Sequence, residues 1–240
     1  MINTRRLDPP RSIWACIIFY NDGTKMLKRA IKSCKRAGLK ILAVDGKFSA
    51  FDKGNGSHWA STDGCRELAK READLFVESP EGGWCDKWGG QPAKRSVPFE
   101  VLEPDDFFIN IDADETVARG RVSLDSLRYE FMTCNVYSMH KKESPCILNV
   151  RGFRVNKHYR YRFRHNCIYD DRHYARGNMN PRTGLVLYKY SMLKPMEIKN
   201  GTILQLNHYD DQRPEERKGL DDKFYEDRTE NMDIMNVIRG

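Results

Sequence analysis

Three carboxylates within four residues, Asp112, Asp114 and Glu115, follow directly on the apolar run Phe107-Phe108-Ile109-Asn110-Ile111. Residues this bulky and apolar belong in a buried strand, and Glu103-Pro104-Asp105-Asp106 before them is a turn signal that lets the strand begin cleanly. Side chains alternate along an extended chain, so the pattern predicts Asp112 and Asp114 on one side of it. Two hard oxygen ligands so placed suit Mg2+ or Mn2+, which bind few carboxylates and keep coordination positions open for phosphate oxygens. An isolated Asp-X-Asp more often only ends a strand, so the weight of this reading rests on its context.

A second chemistry-bearing stretch is basic. Between positions 151 and 176, seven Arg and one Lys stand against only Asp170 and Asp171, which accounts for nearly all of the net charge of +7. Within it Tyr159, Tyr161 and Phe163 alternate with Arg160, Arg162 and Arg164, so a strand here has one aromatic face and one row of guanidiniums. Guanidiniums bind phosphates and aromatic faces stack on bases, which suits a polyanionic partner such as DNA or an anionic glycan.

The elements that must position these groups alternate along the first half. Positions 13–20 are an apolar run of strand length, Asn21-Asp22-Gly23-Thr24 supplies turn and helix-capping residues, and Leu27, Ala30, Ile31, Cys34 and Ala37 recur at helical spacing before Gly38. A second buried strand, 41–44, ends at Asp45-Gly46, completing a β-α-β unit with polar residues at the strand ends where ligands bind in parallel α/β sheets. Positions 47–61 read as a loop. Thr62 or Asp63 caps a helix carrying Leu68, Ala69 and Ala73, and 75–77 is a third strand. Positions 80–90 hold Trp84 and Trp88 among glycines. A helix over 93–102 must start late or kink at Pro98. Later strands are expected at 137–139, 146–150, 183–190 and 203–206, the last ending at His208, and the charged tail from 210 reads as one or two surface helices.

At 240 residues, 40% hydrophobic and 31% charged, the chain is expected to be one α/β domain over 1–240, with 12–118 as one half and 119–240 as the other. No apolar run approaches the roughly 20 residues of a membrane span, and the basic start has no signal-peptide core, so a cytoplasmic location is expected. Seven scattered cysteines point to reduced thiols rather than a disulfide frame or a zinc site. Neither the dinucleotide nor the P-loop glycine pattern is present.

Taken in order, Ile17-Ile18-Phe19-Tyr20-Asn21-Asp22, Val44-Asp45-Gly46, Gln91 with Lys94-Arg95, Ile111-Asp112-Ala113-Asp114-Glu115, Arg162-Phe163-Arg164 and His208 resemble a family 2-type glycosyltransferase of the GT-A fold, nearest the subgroup of lipopolysaccharide-core glucosyltransferases. The resemblance implies a Rossmann-like, mixed but mainly parallel sheet flanked by helices, with a C-terminal acceptor-side portion. It implies that Phe19 and Asp45 contact the nucleoside of a nucleotide-diphosphate sugar, a UDP-sugar first among donors. Asp112 would approach the ribose or the metal, Asp114 would bind Mn2+ or Mg2+, and His208 would be a further metal or diphosphate ligand. Lys94 and Arg95 would offset the charge that develops on the leaving diphosphate.

An inverting transfer needs a base to deprotonate the acceptor hydroxyl, and Asp170 or Asp171 is the candidate; Arg160, Arg162 and Arg164 would face the acceptor. A hydroxylated base in DNA, extruded toward the sugar, is one acceptor and an anionic cell-surface glycan another. The alternatives from other classes are a non-catalytic nucleic-acid-binding protein and a metal-dependent nuclease or nucleotidyltransferase, which also uses paired acids.

Overall fold

The structure is a computed structural model that describes residues 7–47, 58–84, 90–119, 122, 127, 131–139, 147–162, 167–174, 185–188 and 205–209. In chain order these form β1 (Ile13–Phe19), α1 (Thr24–Arg36), β2 (Lys40–Asp45), α2 (Cys65–Glu72), β3 (Leu75–Val77), α3 (Gln91–Val101), β4 (Phe107–Asp112) and β5 (Glu115–Arg119). Then follow β6 (Phe131–Ser138), β7 (Ile147–Arg154), β8 (Tyr159–Arg162), β9 (Cys167–Asp170), the single turn α4 (Asp171–Tyr174), β10 (Leu185–Tyr188) and β11 (Gln205–His208). The expected tail helices, Trp88, Arg164 and Arg176 lie outside the described residues.

One eight-stranded sheet, in the order β3-β2-β1-β4-β7-β6-β11-β5, takes strands from both halves of the chain. β3, β2, β1 and β4 run parallel, whereas β7 is antiparallel to both β4 and β6, and β5 is antiparallel to β11. The fold is therefore mixed α/β and Rossmann-like. A second sheet, β10-β9-β8, is antiparallel.

Strands β1 and β4 are apolar almost throughout because both faces of the sheet are covered. Ile13, Ala15, Ile17 and Phe19 of β1 pack with Leu27, Ala30, Ile31 and Cys34 of α1, while Cys16 and Ile18 join Val97 and Phe99 of α3. The second core is aromatic: the Phe99 ring meets Phe108 edge-on at 4.9 Å, and Phe153 and Tyr161 complete the group. Each such ring contributes about 1.5–3 kcal/mol by leaving water. Tyr161 fixes the small sheet to this core, its amide donating to the Ser96 hydroxyl at 2.9 Å and its own hydroxyl accepting the Asn110 amide at 2.7 Å.

Several local expectations change. α3 runs through Pro98 rather than starting after it, and near its C-terminal end the Lys157 ammonium donates to the carbonyls of Glu100 and Leu102. Asn21 and Asp22 do not cap α1 by their side chains, whereas Asp63 does serve α2, its Oδ1 accepting the amide of Cys65, the first residue of that helix, at 3.0 Å. Thr62 donates its amide to Asn21 and Gly23 donates its amide to Asp63, so the β1–α1 turn is stapled to the segment before α2. Strands β5 and β9 and the first six residues of β6 are elements the sequence pattern did not announce.

At the far end of the sheet, the Ser33 hydroxyl of α1 accepts the Val117 amide of β5 at 3.0 Å and donates to the Ala30 carbonyl. Cys16, Cys34, Cys65 and Cys134 are free and buried, and burial pushes the thiols of Cys16, Cys34 and Cys134 up to about 12. Among the described residues, no helix is long and apolar enough to cross a membrane.

Gly152 sits where β7 passes between neighbours, and a Cβ there would lie 2.6 Å from a Phe107 ring carbon and 2.8 Å from the Met132 Cβ. Gly152→Ala is expected to cost about 1–3 kcal/mol by overpacking, read as a lower urea midpoint; an unchanged midpoint would show that β7 has room to move.

Candidate functional site

The chain leaves β1 through α1 to β2 on one side and returns later to β4 on the other, so the connections that follow β1 and β4 diverge. In open α/β sheets, ligands bind in the crevice opened by such a reversal, outside the C-terminal strand ends. Register brings the sequence candidates to this edge: Phe19 lies beside Asp45, and Ile18 beside Asp112. The first half of α3 crosses the same edge with Lys94 and Arg95.

Three of the expected donor contacts form a buried layer beneath the crevice instead of its surface. Lys94, fully buried, donates from Nζ to the carbonyls of Phe19 and Gly46 at 2.6 Å each, tying the ends of β1 and β2 together. It is neither a solvated helix residue nor an open phosphate ligand. The Phe19 ring is packed in the core below it. Asp45 is also fully buried and accepts the Ser61 hydroxyl at 2.6 Å and the Ser61 amide at 3.2 Å, while that hydroxyl accepts the Asn21 amide. Burial raises the Asp45 pKa above the ordinary carboxylate value, opposed by Ser61 and the charge of Lys94. Gly46 follows with φ +120°, and its missing Cβ leaves room for Ser79 and Trp84, whose indole N–H donates to the Asp45 carbonyl. Trp84 is thus packed on the β2 end.

The acids are arranged differently from the alternation rule. β4 ends at Asp112, and Ala113-Asp114 form a turn, so Asp112 and Asp114 do not share a side by strand geometry. Asp112 keeps 21% of its side chain exposed and receives Arg95 on Oδ1 at 2.8 Å and Arg151 on Oδ2 at 3.4 Å. Arg151 also reaches Glu115 Oε1 at 2.8 Å, and Glu115 Oε2 accepts the Asp112 amide at 2.9 Å. Burial opposes the charge on Arg151, yet Glu115 and Asp112 hold its pKa above the usual arginine value. Asp114 is 1% exposed, and its carbonyl accepts the Tyr209 amide at 3.0 Å. The Tyr209 ring in turn lies under the Arg29 guanidinium of α1 at 3.8 Å.

His208 ends β11 in register with Glu115, so its main chain belongs to this edge; its side chain lies outside the described residues. Asp170 and Asp171 do not come here. Asp170 pairs with Tyr159 in register and is held by the Arg172 guanidinium, while Asp171 donates its amide to the His158 carbonyl. Arg160 stands between Asp171 and Glu100 at the C-terminal end of α3. These residues sit toward the Asp106 end of β4, whose six residues span about 17–20 Å, so neither acid is placed to act as a base beside Asp112.

Among the described residues, the cations of the basic stretch 151–176 are largely spent internally. Arg151 is engaged by its acids, and Arg154 is buried and donates to the carbonyls of Asp8 and Leu127; Arg160, Arg172 and Lys157 are engaged as above. Arg162 ends β8 on the Asp112 side, but its side chain and all of Arg164 lie outside the described residues.

Sequence reasoning missed Arg151, Ser61 and the cleft next to Ser61. This open cleft of about 620 Å3 is lined by His58, Trp59, Thr62, Arg66 and Lys70, with Trp59 38% exposed. His58, Trp59 and Ser61 fell in a stretch read as loop, where only Trp59 was a signal, while Thr62, Arg66 and Lys70 fell in the helix expected after it. For a divalent metal the donor set fits poorly: both Asp112 oxygens already face guanidiniums, and no group of three acidic, His or Cys side chains among the described residues is arranged to hold an ion.

Lys94→Ala is expected to destabilise the protein by about 2–4 kcal/mol, since it leaves carbonyls unsatisfied and opens a cavity; a loss under about 0.5 kcal/mol in urea unfolding would refute that role. Asp45 binds its proton more tightly folded than unfolded, so its contribution is greatest in acid and is lost as pH rises through its raised pKa. Wild type should therefore lose stability relative to Asp45→Asn between acid and neutral pH, measured by paired urea titrations; a parallel pair of curves would contradict it.

Compared with known proteins, the chain matches no family model and no curated protein.

Proposed function

We propose that the chain is a glycosyltransferase of the GT-A type that moves a sugar from a nucleotide-diphosphate sugar to a hydroxyl acceptor. The observation that carries this reading is the strand edge at the β1–β4 reversal, where Asp112 keeps 21% of its side chain exposed and the Asp45–Ser61 hydrogen bond leads to the cleft beside Ser61. Dinucleotide and P-loop chemistries would place glycine-rich turns at this edge, and the β1–α1 turn Asn21-Asp22-Gly23 is neither pattern.

In this proposal the nucleoside lies in the cleft, where the exposed Trp59 ring offers a stacking face and the main chain near Ser61 and Thr62 reads the base edge. Asp112 lies between the two guanidiniums of Arg95 and Arg151. A carboxylate has about four lone-pair positions, so it can still accept hydroxyl hydrogen bonds from ribose or sugar at its exposed side. Lys94, Asp45 and Ser61 hold the ends of β1 and β2 rigid, so that the floor is formed before the donor arrives. Arg162, whose main chain ends β8 on this side, is the cation assigned to the leaving diphosphate, where positive charge is worth most as the glycosidic bond breaks. No step in this scheme passes through a divalent ion.

Incubation with a panel of nucleotide-diphosphate sugars, with Mn2+, with Mg2+ and with EDTA, should release nucleoside diphosphate in at least one condition. Asp112→Ala should lower that release by about 100-fold or more. Absence of both thermal stabilisation and nucleoside diphosphate release with every donor would reject the proposal.

A further inference from the structure

The acid edge carries its own counter-cations. Arg95 pairs with Asp112, and Arg151 pairs with both Asp112 and Glu115. Two of these contacts are at 2.8 Å, and Arg151 bridges two acids that come from different elements, the end of β4 and the start of β5. The Nε atoms of Arg95 and Arg151 are buried and have no hydrogen-bond partner among the described residues, and both guanidiniums donate to Asp112, that of Arg151 to Glu115 as well. A divalent ion bound through Asp112 would either displace one of these guanidiniums or share the carboxylate with it, and in both cases a cation that cannot lose its charge would remain beside the ion, largely out of water.

We infer that Arg95 and Arg151 occupy the electrostatic position of a divalent cation at Asp112, making Asp112 a guanidinium-anchored carboxylate and not a metal ligand. The edge is that of the proposed donor site, and only the functional meaning of the substitution rests on that reading; the exclusion of the ion stands or falls by itself.

The test uses the full chain and MnCl2 alone, with free Mn2+ followed by its electron paramagnetic resonance signal and folding checked by circular dichroism. Wild type is expected to leave Mn2+ free, whereas Arg151→Gln, which uncovers Glu115 and one Asp112 oxygen, should bind Mn2+ at least about tenfold more tightly. Arg95→Gln serves as the second variant should Arg151→Gln fail to fold, with the same expected gain. Wild-type binding of Mn2+ that is abolished by Asp112→Asn would overturn the inference, and so would folded arginine variants that gain no affinity. In a parallel arm, stabilisation of wild type by UDP should be the same in Mn2+ and in EDTA. A Mn2+ requirement for UDP binding would count against the inference, whereas absence of any nucleotide or nucleotide-sugar binding would count against the proposed function and leave the Mn2+ result as it stands.

Discussion

Ionised side chains buried at the end of β4 can be tolerated only as a mutually neutralising set, and much of the architecture follows from that constraint. Taking a carboxylate out of water costs several kcal/mol unless a partner meets it in good geometry. Glu115 is fully buried, so Arg151 must reach it, and β7 must therefore lie next to β4. Arg95 must reach Asp112 from α3, which constrains how that helix crosses the sheet. The antiparallel insertion of β7 beside a parallel set of strands is thus tied to charge as well as to the apolar packing of Phe108 and Phe153.

The same logic explains why the basic side chains described between 151 and 172 are engaged within the fold. Arg154 and Lys157 satisfy main-chain carbonyls that come together from distant parts of the chain, and Arg160 and Arg172 pair with acids close to them in space. Guanidinium suits this role because one planar group can satisfy several acceptors at once. The aromatic residues alternating with the arginines complement them, since Tyr159 and Tyr161 turn inward to Phe99 and join the small sheet to the large one.

How much of this was legible in sequence depends on whether the determining contacts are local. β1, β2, β3 and β4 were readable because a strand covered on both faces is a continuous apolar run, and α1 because its buried residues keep helical spacing. The meeting of Asp45, Asp112 and the His208 main chain at one edge was also legible, since it follows from the order of the elements. β5 was not, because it begins with Glu115, whose burial is made possible by an arginine 36 residues further on. The burial of Lys94 was equally hidden: its acceptors are carbonyls 75 and 48 residues before it, and no spacing rule reports them. Asp170 and Asp171 fall elsewhere than expected because a hairpin reverses the chain, carrying β9 back from the Asp112 side toward the opposite end.

The hydroxyl of Ser33 has a consequence beyond local bonding. Among the described residues β5 is the outermost strand of the large sheet, and an outermost strand with open amides is a template on which another polypeptide can lay itself down. Because α1 packs there and the Val117 amide is already consumed, that rim offers an incoming chain an interrupted ladder. A small side chain on the first helix thereby guards the sheet's margin against unwanted self-assembly, and fraying of that helix would reopen it.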